Sequence, residues 1–126
     1  MRTKACLAID LRDDAEAIAH YESLHRPGGV WPEVMADLRA HGYAEMTIWR
    51  TGNRLFMIVE IDAVEPPATD AATQIILDRW QTLTSSLQQA LPGTGPQPRW
   101  IPMDCVFDLK EHSAGATAAQ KSGRAE

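Results

Sequence analysis

The chain has 126 residues, of which 44% are hydrophobic and 23% are charged, and its formal net charge is -5. This length supports one domain with a single core. The acidic balance argues against a nucleic-acid partner, because proteins that bind nucleic-acid phosphates usually carry a basic stripe. No apolar run is long enough to span a membrane, and no signal-peptide pattern opens the chain. We therefore expect a soluble, cytoplasmic protein without a membrane partner.

The first third of the chain predicts a strand followed by two short helices. Residues 3–11 are apolar on both faces, which is typical of a central strand. Asp14 offers an N-cap for a helix over residues 15–24. After a loop rich in proline and glycine, Pro32 begins a second helix, and Gly42 follows its last residue.

The middle of the chain predicts a hairpin and then a long helix. Residues 43–50 and 54–61 have strand composition, and the Thr-Gly-Asn turn between them favours antiparallel pairing. Pro66 and Pro67 mark a connecting loop. The long helix is predicted from about residue 70 to about residue 89.

The C-terminal part predicts one last strand and a tail. Residues 100–109 have the composition of a strand, and 111–126 lack apolar periodicity, so we expect a domain over 1–110 and a disordered tail. Cys6 and Cys105 both lie in apolar runs. Buried free thiols are therefore favoured over a disulfide or a metal site.

The order of these elements predicts an α+β fold, in which helices cover one face of an antiparallel sheet. Among such folds, the ferredoxin-like topology fits the order best. Small domains commonly bury an open apolar sheet face by pairing with a second copy, so we expect a homodimer.

Four residues are candidates for a binding or catalytic site. Tyr21 and His25 are four residues apart and share one helix face, and histidine is the side chain best suited to carry a proton at neutral pH. Without other evidence, a tyrosine and a histidine at this spacing more often form a half-buried helix edge than a catalytic pair. Trp80 lies on the apolar stripe of the long helix, where periodicity favours core packing over pocket lining. Met57 is the fourth candidate; it and Glu60 lie on alternate faces of one strand, so at most one of them faces a pocket, and a methionine at such a position is more often a core residue.

A series of short motifs resembles the L-rhamnose mutarotase family over roughly the whole predicted domain. None is diagnostic alone, but their order and spacing are fairly specific. They are Tyr21-x-x-x-His25, Trp31-Pro32-Glu33, His41-Gly42, Asn53-Arg54-Leu55-Phe56, Val59-Glu60-Ile61, Arg79-Trp80 and Val106-Phe107.

The resemblance implies a ferredoxin-like homodimer without metal or cofactor, and an isomerase that interconverts the anomers of a 6-deoxy-L-sugar. It implies that His25 matches the family's acid/base histidine and Tyr21 its sugar-contacting tyrosine. Trp80 matches a tryptophan that lines the sugar pocket, and we add Met57 as a further substrate-binding candidate. Mutarotation moves a proton between two sugar oxygens, a task for a group that titrates near neutral pH.

The chain departs from the rhamnose-type pattern at three places. The loop 26–30 is longer, Gln81 stands where a second aromatic residue is common, and Asp108 stands where an aromatic residue often follows the phenylalanine. The segments 91–93 and 99–107 look similar to relatives associated with L-fucose, so L-rhamnose and L-fucose are both candidate substrates. A non-catalytic small-molecule-binding module or a cofactor-free monooxygenase of the same fold is the alternative.

Overall fold

A computed structural model describes residues 2–111, which form an antiparallel sheet with helices packed against it. The prediction of an α+β fold is confirmed. The elements, in chain order, are β1 (Arg2–Leu11), α1 (Ala15–Leu24), α2 (Pro32–Ala40), β2 (Tyr43–Thr51), β3 (Arg54–Asp62), α3 (Ala71–Leu87), β4 (Gln88–Gln89), β5 (Ile101–Pro102) and a short 3-10 helix (Leu109–Glu111).

Strand β1 lies in the middle of the sheet, as its two apolar faces predicted. The strand order is β2-β3-β1-β4, and β5 also pairs with β1. All of these pairs are antiparallel. Strands β3 and β1 form the centre of this order, with β2 and β4 on either side, as in the ferredoxin-like topology. The core between sheet and helices is formed by Ile9, Leu11, Ala17, Tyr21, Leu55 and Leu87.

Helices α1 and α3 both begin at an aspartate cap. The carboxylate of Asp14 accepts a hydrogen bond of 2.7 Å from the backbone N–H of Ala17 at the start of α1. Asp70 does the same for Thr73 at the start of α3, at 2.8 Å, and this bond holds the pKa of the Asp70 carboxyl below its ordinary value. These bonds satisfy N–H groups that the first helical turn leaves without partners.

The predicted strand over residues 100–109 is wrong beyond its first residues. Only Ile101–Pro102 pair with β1, because Pro102 has no N–H to donate and, after a 2.8 Å bond from Met103 N to Cys6 O, the chain leaves the sheet. Cys105 is consequently exposed rather than buried, while Cys6 is partly buried, and both thiols are free.

The edge of β1 is also occupied by a strand that periodicity did not predict. Helix α3 ends at Leu87, and Gln88–Gln89 extend the chain against Asp10 and Leu11 of β1.

No helix within the described residues is long and apolar enough to cross a membrane. The predicted tail lies outside the described residues except for Glu111, so its prediction stays untested.

Candidate active site

The last turn of α1 orients the imidazole of His25. His25 is the C-cap residue of the helix, and its Nδ1 lies 2.8 Å from the carbonyl oxygen of Tyr21. Because a carbonyl oxygen only accepts hydrogen bonds, Nδ1 carries the proton in this contact. The other ring nitrogen, Nε2, therefore keeps its lone pair in the neutral ring and is free to accept a proton.

The imidazole of His25 and three aromatic side chains form a chain of ring contacts. The ring of Tyr21 stacks on that of His25, with centroids 4.2 Å apart and an angle of 23° between the planes. Trp80 meets His25 edge to face at 5.6 Å, and Trp31 meets Trp80 edge to face at 5.1 Å. The structure thus brings together three of the predicted residues and adds Trp31, which the sequence placed only at a helix start.

The loop between α1 and α2 brings Trp31 into this cluster, and two glycines permit its path. Gly28 has a positive φ of 83°, which favours glycine. A Cβ atom on Gly29 would lie 2.7 Å from the carbonyl oxygen of Leu24, closer than real contacts allow. The chain can therefore fold back onto the end of α1 and begin α2 with Trp31 beside Trp80.

Tyr21 is a buried support for the histidine rather than an open surface residue. Its side chain is 4% exposed. Burial raises the pKa of its phenol to about 12, and a hydrogen bond with the side chain of Gln88 opposes this only partly. The phenol therefore remains protonated throughout the neutral range. Gln88 is itself buried, so strand β4 also contributes to fixing the Tyr21 ring that stacks on His25.

A cavity of about 510 Å³ lies between the end of α1 and the β2–β3 hairpin. This volume falls within the range of small-molecule sites. Its lining combines apolar surface with charged groups of both signs, which suits a ligand that carries hydroxyls on a carbon ring. The lining residues are Tyr21, Glu22, His25, Arg26, Ile48, Trp49, Arg50 and Leu55.

Met57 and Trp80 do not line this cavity. Met57 lies on β3 opposite Leu7 and Ile48 and is 9% exposed, on the face that packs against the helices. Trp80 reaches the site through its contact with the ring of His25. Their roles in substrate binding stay predictions, and the geometry supports Trp80 more directly than Met57.

The arrangement offers proton transfer and hydrogen bonding. Nε2 of His25 can take up and return a proton, and the cavity presents guanidinium donors from Arg26 and Arg50 and a carboxylate acceptor from Glu22. Within residues 2–111, no group of three or more histidine, cysteine, aspartate or glutamate side chains is placed to hold a metal ion.

Comparison with known proteins gives consistent matches. A family model described as L-rhamnose mutarotase matches residues 4–109. An L-fucose mutarotase from Xanthomonas campestris pv. campestris is 40% identical over 111 residues, which cover 86% of this chain and 89% of that protein. An L-rhamnose mutarotase from Shigella dysenteriae serotype 1 is 34% identical over 91 residues, covering 71% and 85%.

A solved structure shows the same fold. The crystal structure of an L-rhamnose mutarotase from Formosa agariphila superimposes with a TM-score of 0.59 and covers 84% of this chain and 97% of that one. Its sequence identity is 22%, so this likeness concerns the fold alone.

Proposed function

The chain belongs to the L-rhamnose mutarotase family and is an isomerase acting on carbohydrates, and we propose that it interconverts the α and β anomers of L-fucose. The observation that carries this choice of sugar is the 40% identity to an L-fucose mutarotase over 86% of the chain. The L-rhamnose mutarotase from Shigella dysenteriae serotype 1 is 34% identical over 71% of the chain, so L-rhamnose is the second candidate. Both are 6-deoxy-L-sugars.

His25 is the proton carrier in this proposal. Ring opening removes the proton from the anomeric hydroxyl, O1, and breaks the bond between C1 and the ring oxygen, O5, whose electron pair then takes up a proton. The product is the open aldehyde, which rotates about the bond between C1 and C2 and closes on its other face. Each opening transfers one proton from O1 to O5 in net terms. A single group that accepts a proton and then donates it is sufficient, and Nε2 of His25 has that character.

The proposed reaction is tested by measuring anomer exchange directly. We expect the protein to accelerate the exchange of L-fucose anomers at least tenfold over a protein-free blank, as measured by saturation-transfer NMR, with no net conversion of the sugar. L-Rhamnose, assayed in parallel, decides between the two candidates. L-Galactose, which differs from L-fucose by a hydroxyl at C6, is the matched control for recognition of the 6-methyl group. A non-catalytic binding module would instead be stabilised against heat by the sugar without accelerating its exchange.

We also propose that the protein is a homodimer that buries the sheet face opposite the helices. Side chains alternate along a strand, so Ile58 points away from the core residues Leu55 and Val59. Ile58 is 37% exposed and Trp49 is 61% exposed. Met103 extends this apolar surface, since its sulfur lies 3.8 Å from that of Cys6, which pairs with Ile58 in the sheet. A second copy of the chain would remove this surface from water.

Ile58→Lys should convert the dimer to a monomer, because a lysine at the centre of the interface would be buried without a partner. Light scattering coupled to size exclusion measures the mass, and circular dichroism checks the fold. Ile75→Lys is the matched control, since Ile75 is 52% exposed on α3 and its substitution should leave the dimer intact. A native protein that runs as a monomer at micromolar concentration would contradict the proposal.

The cytoplasmic location and the absence of nucleic-acid and membrane partners stay predictions. The net charge of -5 supports the absence of a nucleic-acid partner, because binding to phosphates usually requires a basic surface.

A further inference from the structure

An ion pair stands at the cavity beside the proposed proton carrier. Nε of Arg50 lies 2.7 Å from Oε2 of Glu22, and both side chains line the cavity that His25 also lines. Glu22 lies on α1 three residues before His25, and Arg50 lies on β2, so the pair bridges the helix and the hairpin across the cavity. The side chains are 48% and 35% exposed, respectively, and are therefore reachable by a ligand.

This pair differs from the two forked arginine–carboxylate pairs of the described chain. Arg54 holds both oxygens of Asp10, at 2.7 and 3.2 Å, and Arg2 holds both oxygens of Asp62, at 2.9 and 3.4 Å. In such forked pairs both oxygens of the carboxylate accept from the arginine. Glu22, in contrast, receives Arg50 through one oxygen only.

Two hydrogen bonds hold the guanidinium of Arg50 without using all of its N–H donors. Its Nη1 donates a 2.7 Å hydrogen bond to the carbonyl oxygen of Gly52, while Nε donates to Glu22. A guanidinium carries five N–H donors, so further donors remain on Nη1 and Nη2. Within residues 2–111, neither Oε1 of Glu22 nor Nη2 of Arg50 takes part in a hydrogen bond. The carboxylate of Glu22 thus offers an acceptor, and the guanidinium of Arg50 offers donors, next to each other at the cavity.

We propose that Glu22 and Arg50 form a subsite that binds adjacent hydroxyls of the sugar while His25 works at the anomeric carbon. A hydroxyl both donates and accepts, so one hydroxyl can donate to the Glu22 carboxylate while its neighbour accepts from the Arg50 guanidinium. Hydrogen bonds to charged groups are the stronger ones, and a site built to bond a hydroxyl discriminates strongly against an analogue that lacks it. The inference rests on the proposed mutarotase function and extends it to the recognition of the sugar.

The test uses two conservative variants and sugars that lack single hydroxyls. Glu22→Gln retains the size of the side chain without its charge, and Arg50→Lys retains the charge without the planar fork. Both should raise the KM for anomer exchange of L-fucose about tenfold or more, and leave the maximal rate within about twofold, because the pair binds the sugar without transferring its proton. Arg2→Lys, in an exposed ion pair of β1, is the matched control and should change neither constant.

Deoxy analogues separate binding from a merely structural role. With the 2-, 3- and 4-deoxy derivatives of L-fucose, the KM penalty of each variant should disappear for the analogue whose missing hydroxyl the residue binds, since the lost partner is then common to both proteins. A penalty that is equal for every analogue would overturn the subsite, as would an unchanged KM in both variants. If the native protein accelerates only L-rhamnose, the same series is run with that sugar's deoxy derivatives.

The two proposals fail in different ways. A native protein that exchanges no sugar refutes the mutarotase function and the subsite together. A native protein whose exchange depends on His25 but not on Glu22 or Arg50 refutes the subsite alone. The thermal midpoint of each variant, measured without sugar, checks that the fold is intact, as expected for exposed ion pairs that contribute little stability.

Discussion

His25→Asn should reduce the protein-dependent exchange of sugar anomers by a factor of about 10² to 10⁴, the usual contribution of general acid–base catalysis. The asparagine amide can still donate a hydrogen bond to the carbonyl oxygen of Tyr21, as Nδ1 of His25 does at 2.8 Å. It has no group that titrates near neutral pH. The variant should therefore fold normally and bind the sugar, and saturation-transfer NMR should show exchange close to the buffer rate.

The chain contains a closely matched control for this substitution. His41 caps α2 at its C-terminus as His25 caps α1, and its Nδ1 lies 2.8 Å from the carbonyl oxygen of Asp37. It is exposed and lies outside the lining of the cavity. His41→Asn should therefore retain full exchange activity. Undiminished exchange in His25→Asn would remove the histidine from the mechanism.

Trp80→Ala should weaken sugar binding about tenfold or more and lower the free energy of unfolding by about 1 to 3 kcal/mol, less than for a fully buried aromatic residue. The ring of Trp80 contacts both His25 and Trp31, so its removal takes away one of the two ring contacts that His25 makes within residues 2–111. A flat apolar ring also suits the C–H surface of a sugar. Trp80→Phe, which retains a ring, should recover most of both losses.

Trp100→Ala distinguishes sugar binding from general packing. Trp100 is partly buried against the core cluster, and, unlike Trp80, it has no ring contact with His25 within residues 2–111. Its truncation should lower the thermal midpoint while leaving the KM for exchange unchanged. If Trp80→Ala behaves in the same way, with stability lost and KM retained, Trp80 is a core residue and its proposed role in the sugar site is wrong.

Features that depend on neighbouring residues were predictable from the sequence. The Asp14 cap determined the start of α1, which the prediction and the structure both place at residue 15. The turn between β2 and β3 was equally readable, since Gly52 has a positive φ of 58°. The last strand was mispredicted, because Pro102 prevents the continued pairing that the apolar composition of residues 100–109 favours.

The candidate site was only partly predictable. Tyr21 and His25 are neighbours on one helix, so their spacing was sufficient to place them together. The role of Glu22 was not predicted, because in the sequence it looks like an ordinary surface charge and no local pattern indicates that Arg50 approaches it. The contact of Trp31 with Trp80 was not predicted either, since Trp31 caps α2 and Trp80 lies on α3.

The sequence by itself determined the caps, the turns, the α+β order and the histidine on the last turn of α1, because these follow from backbone preferences and periodicities within a few residues. Only the tertiary structure decided what else surrounds that histidine. The edge-to-face contact of Trp80 and the charged pair of Glu22 and Arg50 depend on how helices pack on the sheet. Such packing brings together residues that are distant in the chain, and no local pattern encodes which of them meet.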